Sequence, residues 1–77
     1  MSVDFLKDNL NKKCVVKVKV KTENEYIQGI LSKVNEKSFT IIQIIPYFNF
    51  LNEEKYNTLE REIMFDADYK FIENFYD

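Results

Sequence analysis

The apolar residues of this chain follow two different spacings. Near the N-terminus Phe5, Leu6 and Leu10 recur at the spacing of a short amphipathic helix, which we predict over about residues 3–11. A helix of this length is not stable in isolation, so its apolar face must pack against the rest of the domain.

The following segment, about residues 14–21, changes to a period of two. Its apolar and charged residues alternate as Val16, Lys17, Val18, Lys19, Val20 and Lys21. β-Branched residues in this alternation predict a strand with one buried face and one lysine-rich solvent face. The lysine row is a candidate cationic surface, and the alternative is an ordinary wet strand face that protects an edge. Residues 22–25 form the predicted turn, and the absence of Asn-Gly or Asp-Gly favours a loop of three to five residues.

A second strand is predicted over about residues 26–34, and it contains Gly29, the only glycine of the chain. Glycine inside a strand commonly marks a bend or a close approach of another backbone. A strand that bends in this way is typical of a small barrel.

The rest of the chain predicts further strands. After a turn at residues 35–38, the apolar run of residues 39–45 predicts a strand buried on both faces. Pro46 cannot donate a hydrogen bond to a strand ladder, so it should end this strand or sit at a sheet edge. A fourth strand is expected at 47–51 or 60–65 with a long hairpin loop, and a last strand at 69–75. The pattern predicts a single domain, residues 1–77, that is mainly β: a short helix and a five-stranded SH3-like or OB-like barrel.

Composition narrows the class of protein. The chain has 77 residues, which is marginal for an independent core, and its net charge is −2. Residues 1–40 carry a net charge of +3 and residues 41–77 one of −5, so the subunit is bipolar. No apolar run could span a bilayer and no signal sequence is visible, so we expect a cytoplasmic protein without membrane contact. Twelve aromatic residues exceed what one small barrel readily hides, which predicts self-association.

The residue inventory argues against catalysis. There is no histidine and only one cysteine, Cys14, so the usual general base and multi-ligand metal sites are missing. Cys14 is expected to be a small buried hydrophobe. Asp66 and Asp68 could be half of a metal pair, but a turn explains them better. We therefore expect a protein that is not an enzyme and needs no cofactor or metal.

One stretch has a recognisable motif spacing. Gly29 is followed two residues later by Leu31, six later by Asn35 and ten later by Phe39, which opens an apolar strand. Together with the helix-to-strand junction at residues 5–18, this resembles the Sm/LSm family, which includes the bacterial Hfq proteins. The resemblance implies an N-terminal helix, a strongly bent five-stranded Sm-like barrel, and rings that bind single-stranded RNA.

The resemblance weakens where the family binds RNA. The family has aspartate where this chain has Asn35, an aromatic or similar side chain where it has Lys37, and asparagine where it has Phe39. The family's second motif carries Arg-Gly or Lys-His, and the nearest match, residues 64–68, has neither pair.

The resemblance implies that the turns at residues 35–39 and 65–68 meet around the pore of the ring. Candidate nucleic-acid contacts there are Asn35, Lys37, Phe39, Phe65 and Asp68. Lysine would pair with phosphate, an aromatic ring would stack on a base, and the asparagine amide would bond a base edge. The alternatives are core packing for Phe39 and Phe65 and a turn role for Asn35.

These observations predict a homo-oligomeric Sm-like ring that binds single-stranded nucleic acid, RNA or DNA, in RNA or DNA processing. Its partners are copies of itself, joined by pairing of strand edges, and the nucleic acid. The alternative is a protein-interaction or assembly module with the same barrel and no nucleic-acid role. A phage origin would fit that alternative, since the Asn, Lys, Ile and Phe bias suits an AT-rich genome.

Overall fold

A computed structural model describes residues 3–76, apart from the side chains of residues 73, 74 and 76. The elements are a helix, α1 (Val3–Lys7), and the strands β1 (Lys13–Val20), β2 (Glu23–Val34), β3 (Ser38–Phe48), β4 (Glu54–Met64) and β5 (Tyr69–Tyr76). The helix is shorter than predicted because residues 8–11 form a turn, where Asn11 has a φ of 69°. The amide of Asn11 donates a 2.7 Å hydrogen bond to the carbonyl of Leu31, which ties this turn to β2.

The five strands form one antiparallel sheet in the order β4-β3-β2-β1-β5. The sheet is not closed into a barrel, so the mainly β prediction is confirmed while closure is not observed. β4 pairs only with β3 and β5 only with β1, so each keeps one free edge within the described residues.

Gly29 lies where β2 passes from one neighbour to the other. Residues 23–30 of β2 pair with β1, and residues 30–34 pair with β3, with a register shift after Leu31. A β-carbon at Gly29 would collide with the carbonyl oxygen of Ile42. The predicted close backbone approach is therefore confirmed, and it is what glycine supplies at this position.

β3 is longer than predicted, because it continues through Pro46, which pairs with Tyr56, as far as Phe48. Of the two alternatives for Pro46, the position at a sheet edge is the one observed. Residues 47–51 contain the end of β3 and a turn, so the prediction of a fourth strand there is wrong. Pro46 is tolerated because β2 pairs only with residues 39–42 of β3, so one side of β3 has no ladder beyond that point. The fourth strand is the long β4, of which only residues 60–64 fall in the predicted alternative.

The first hairpin is tighter than predicted. Val20 pairs directly with Glu23, so the turn contains only Lys21 and Thr22. Lys21 has a φ of 58°, which is the conformation that the first central residue of such a turn needs and that glycine usually supplies. The strand pairing therefore imposes this conformation on a lysine.

The core lies on one face of the bent sheet. It is formed by residues that all strands but β5 contribute together with α1: Leu6, Cys14, Val16, Ile27, Leu31, Phe39, Ile41 and Ile63. The valine side of β1 faces inward as predicted, although Val20 is exposed at its end. Residues from β5, including Phe71, pack against this cluster.

The hairpin formed by β3 and β4 extends beyond the core. We call residues 43–59 the β3–β4 arm. The prediction that residues 39–45 are buried on both faces is wrong in the second half, since Ile44 and Ile45 are exposed. At its tip Phe50 is 95% exposed, and Phe48 is 67% exposed. The arm thus presents an apolar surface to solvent.

Candidate nucleic-acid interface

The two turns named as candidate sites lie next to each other in one chain. The amide of Phe65 donates a 2.9 Å hydrogen bond to the carbonyl of Lys37. This contact follows from the β3–β4 pairing, because Ser38 opposite Met64 is its last pair at this end. The sheet therefore brings the turn at residues 35–38 against the start of the turn at residues 65–68.

Asn35 organises the first of these turns. Its side-chain Oδ1 accepts 2.8 Å hydrogen bonds from the amides of Lys37 and Ser38, and lies 3.2 Å from the hydroxyl oxygen of Ser38. An asparagine that closes a turn onto its own backbone is a common local motif. The turn role of Asn35 is thus observed, and Oδ1 is occupied by it. Its side-chain amide nitrogen has no hydrogen-bond partner among the described residues, so the turn does not occupy this donor.

Lys37 is exposed beside acidic neighbours. An open cavity of ≈ 470 Å³ is lined by residues of the turn and of β4, including Glu36, Lys37, Glu62 and Met64. The Ser38 hydroxyl donates a 2.6 Å hydrogen bond to Oε2 of Glu62. The cavity therefore carries one cation and two carboxylates, which weakens its attraction for phosphate.

The two candidate stacking residues differ in exposure. Phe39 is 0% exposed, and its ring packs against Phe65, Tyr69 and Phe71 with centroid distances of 5.2–5.8 Å. Its ring is not open to a base, so core packing accounts for it. Phe65 is half-buried and keeps part of its surface accessible.

Asp68 lines a different cavity from the one that Asn35 and Lys37 line. Its carbonyl accepts a 2.9 Å hydrogen bond from the amide of Lys19. The residue lines an open cavity of ≈ 470 Å³ together with Lys17, Lys19 and Lys70. The period of two identified Lys17 and Lys19 from the sequence. It could not place Lys70 beside them, because the pairing of β1 with β5 joins segments more than fifty residues apart in the chain.

No family model, curated protein or solved structure matches this chain.

Other chemistry is limited in the described part of the chain. Burial raises the pKa of the Cys14 thiol to about 11, so Cys14 is protonated at neutral pH and a poor nucleophile. Within residues 3–76, three or more His, Cys, Asp or Glu side chains nowhere cluster in a way that could hold a metal ion. The same residues include no helix of the length and apolar character needed to cross a bilayer.

Proposed function

We propose that the protein is a non-enzymatic, Sm-like ring of identical subunits that binds single-stranded nucleic acid. The observation that carries the proposal is the open sheet with one free edge on β4 and another on β5. Unpaired backbone groups on long edge strands favour pairing with another chain. Pairing β4 of one copy with β5 of the next is a head-to-tail contact, and such contacts close into rings when the rotation allows.

The short helix and the close approach at Gly29 support the Sm-like scaffold within this proposal. Leu6 anchors the helix in the core, and Gly29 lies where β2 passes from β1 to β3. A ring would repeat the joined turns of residues 35–38 and 65–68 in every subunit.

Nucleic acid is the proposed ligand because these turns offer a cation, an amide and part of an aromatic ring. Lys37 supplies the cation for phosphate, and Phe65 supplies the ring surface for stacking on a base. The side-chain amide nitrogen of Asn35 supplies a hydrogen-bond donor for a base edge. The carboxylates of Glu36 and Glu62 beside Lys37 oppose the binding of phosphate. We therefore expect weak binding that falls steeply with salt.

Assembly is tested by analytical ultracentrifugation of the wild type and of two matched variants. Ile72→Lys places a charge on the edge strand β5, and Val20→Lys introduces the same charge in place of another aliphatic side chain, at an exposed position of the interior strand β1. We expect a closed oligomer for the wild type and Val20→Lys, and monomers for Ile72→Lys. A monomeric wild type would refute the ring.

Ligand binding is tested with a fluorescent single-stranded oligonucleotide over a range of salt concentrations. Lys37→Glu should weaken binding, and Lys55→Glu, on the distant arm, should have a smaller effect. If the wild type does not bind at low salt, the nucleic-acid role is refuted while the ring can stand.

The exposed β3–β4 arm favours a second candidate function, a protein-interaction or assembly module. Tyr47, Phe48, Phe50 and Tyr56 together expose on the order of 500 Å² of aromatic surface, taking about 200 Å² for a fully exposed side chain. This surface is divided between the two faces of the arm, because Phe48 and Tyr56 lie on one face with Pro46 while Tyr47 lies on the other. A ring without oligonucleotide binding, but with a protein partner that requires the arm, would establish this second function.

A further inference from the structure

The solvent face of β1 and β5 gathers lysines around one position. Lys17 lies directly opposite Lys70 on β5 and directly opposite Tyr26 on β2. All three side chains are therefore on the same face of the sheet. Lys19, two residues along β1, is on that face as well. We call Lys17, Lys19, Lys70 and Tyr26 the lysine face.

Among the side chains that the structure describes, the positive charge of this face has little compensation. Asp68 is the one acidic residue of that set that lines the cavity with the three lysines, which leaves an excess of two positive charges among them. Within the described part of the chain the single ion pair is Arg61–Glu25, which lies elsewhere. The excess is notable in a protein whose net charge is −2.

The opposition of Lys17 and Lys70 costs stability in the absence of an anion. Like charges directly opposite on neighbouring strands destabilise a sheet. A strand face that only contacts solvent could equally well carry acidic residues opposite its lysines, and such pairs would remove the repulsion between Lys17 and Lys70. A bound anion between the two ammonium groups would turn the repulsion into attraction on both sides.

We propose that the lysine face binds the phosphate backbone of single-stranded nucleic acid, with a base stacked on Tyr26. Tyr26 is 61% exposed beside Lys17, so its ring is accessible from solvent. Lys17 and Lys19 are spaced about 6.7 Å apart along the strand, which suits separate phosphates of one chain. The class of ligand rests on the proposed function, whereas the location is separate from the turn at residues 35–38 and adds Lys70 and Tyr26 to the lysine row of β1.

Nucleic acid is favoured over free phosphate because an exposed aromatic ring adds nothing to the binding of a small anion. The two sources are distinguished by measuring the labelled oligonucleotide and pyrophosphate in parallel. Tyr26→Ala should weaken oligonucleotide binding roughly 5- to 150-fold, which is the range for loss of one stacked base. The same variant should leave the rise in melting temperature caused by pyrophosphate unchanged.

Lys17 and Lys70 are replaced together, and the control variant loses two other lysines so that both variants have the same net charge. The double variant Lys17→Gln/Lys70→Gln is compared with Lys33→Gln/Lys55→Gln, which removes two exposed lysines from β2 and β4. The slope of log affinity against log salt should fall by about 1.4 in the first variant, at about 0.7 for each lost phosphate contact, and remain near the wild-type value in the second. Sedimentation should be unchanged in both. Equal effects of the two variants would overturn the proposal.

The failure of this proposal is distinguishable from failure of the proposed function. One outcome is that the wild type binds no oligonucleotide, while pyrophosphate stabilises the wild type but does not stabilise Lys17→Gln/Lys70→Gln. In that case the lysine face is a phosphate site and the nucleic-acid function is wrong. If oligonucleotide binding depends on Lys37 and not on the lysine pair, the function stands and this site is wrong. If neither ligand acts on the wild type, both are wrong.

Discussion

Gly29 and Ile42 approach each other so closely that only glycine fits at position 29. A β-carbon there would collide with the carbonyl oxygen of Ile42 and lie 2.8 Å from Cγ2 of Ile41. The obstacle is backbone of the neighbouring strand, which cannot rotate away as a side chain could. This contact fixes the place where β2 leaves β1 and joins β3.

Gly29→Ala should therefore destabilise the domain even though alanine is normally better than glycine in a strand. We expect a loss of about 3 kcal/mol in the free energy of unfolding, since overpacking against backbone forces the strands apart. Urea denaturation measures it, with Gln28→Ala on the exposed side of the same strand as control. A loss below about 0.5 kcal/mol, as for an ordinary surface change, would show that the strands can separate at little cost.

Two substitutions at Asn35 separate its structural role in the turn from a role in ligand binding. Asn35→Asp keeps an oxygen for the amides of Lys37 and Ser38 but removes the side-chain N–H donor. Asn35→Ala removes both. We expect Asn35→Ala to lower the free energy of unfolding by about 1–2 kcal/mol and Asn35→Asp to change it little.

Binding of the labelled oligonucleotide then reports on the amide nitrogen. If that nitrogen donates to a base, Asn35→Asp should weaken binding in a protein whose stability is unchanged. Because Asp also adds a negative charge near the ligand, Glu36→Gln and Asn35→Asp/Glu36→Gln serve as charge controls. Unchanged binding in Asn35→Asp would leave Asn35 as a turn residue only.

The sequence predicted most clearly those elements whose signal is local. The alternation of valine and lysine in β1 and the single glycine in β2 predicted the first strand and the close approach. The end of β3 was missed because the tolerance for Pro46 depends on how far β2 accompanies β3, which is a property of the sheet. The burial of Phe39 and the meeting of Lys17 with Lys70 depend in the same way on register between distant segments.

Lys21 holds a conformation that costs free energy. With a φ of 58° it occupies the left-handed region, which disfavours residues with a β-carbon by roughly 1–2 kcal/mol. Lys21→Gly should remove this cost, offset in part by the greater freedom of glycine in the unfolded chain, and raise the free energy of unfolding by about 0.5–1 kcal/mol. Lys21→Ala, which keeps the β-carbon, is the control. Equal stability of the two variants would argue against strain at this turn.

Stability should fall at alkaline pH because of Cys14. Burial raises the pKa of its thiol from the ordinary value of 9.0 to about 11. Below pH 9 both states keep the proton, whereas between 9 and 11 the unfolded chain loses it first and is stabilised. The contribution to the free energy of unfolding therefore declines through this window, by at most about 1.4 kcal/mol per pH unit.

Cys14→Ala isolates this effect from the titration of lysines and tyrosines, which both proteins share. Urea denaturation of both at pH 8, 9, 10 and 11 should give curves that converge as the pH rises, because the variant has no thiol to titrate. Curves that stay parallel over this range would mean that the thiol ionises equally easily in the folded and unfolded chains.

The β3–β4 arm should contribute to association rather than to stability. Phe48 and Phe50 are largely exposed, so Phe48→Ser/Phe50→Ser should change the free energy of unfolding by about 0.5 kcal/mol or less. The same variant should bind less of a hydrophobic dye and lose any protein partner that the arm contacts. Phe71→Ser, at a ring packed against Phe39, is the contrasting control and should destabilise the fold strongly. If the arm variant loses stability as Phe71→Ser does, the arm packs against the domain in solution and is not a free surface for partners.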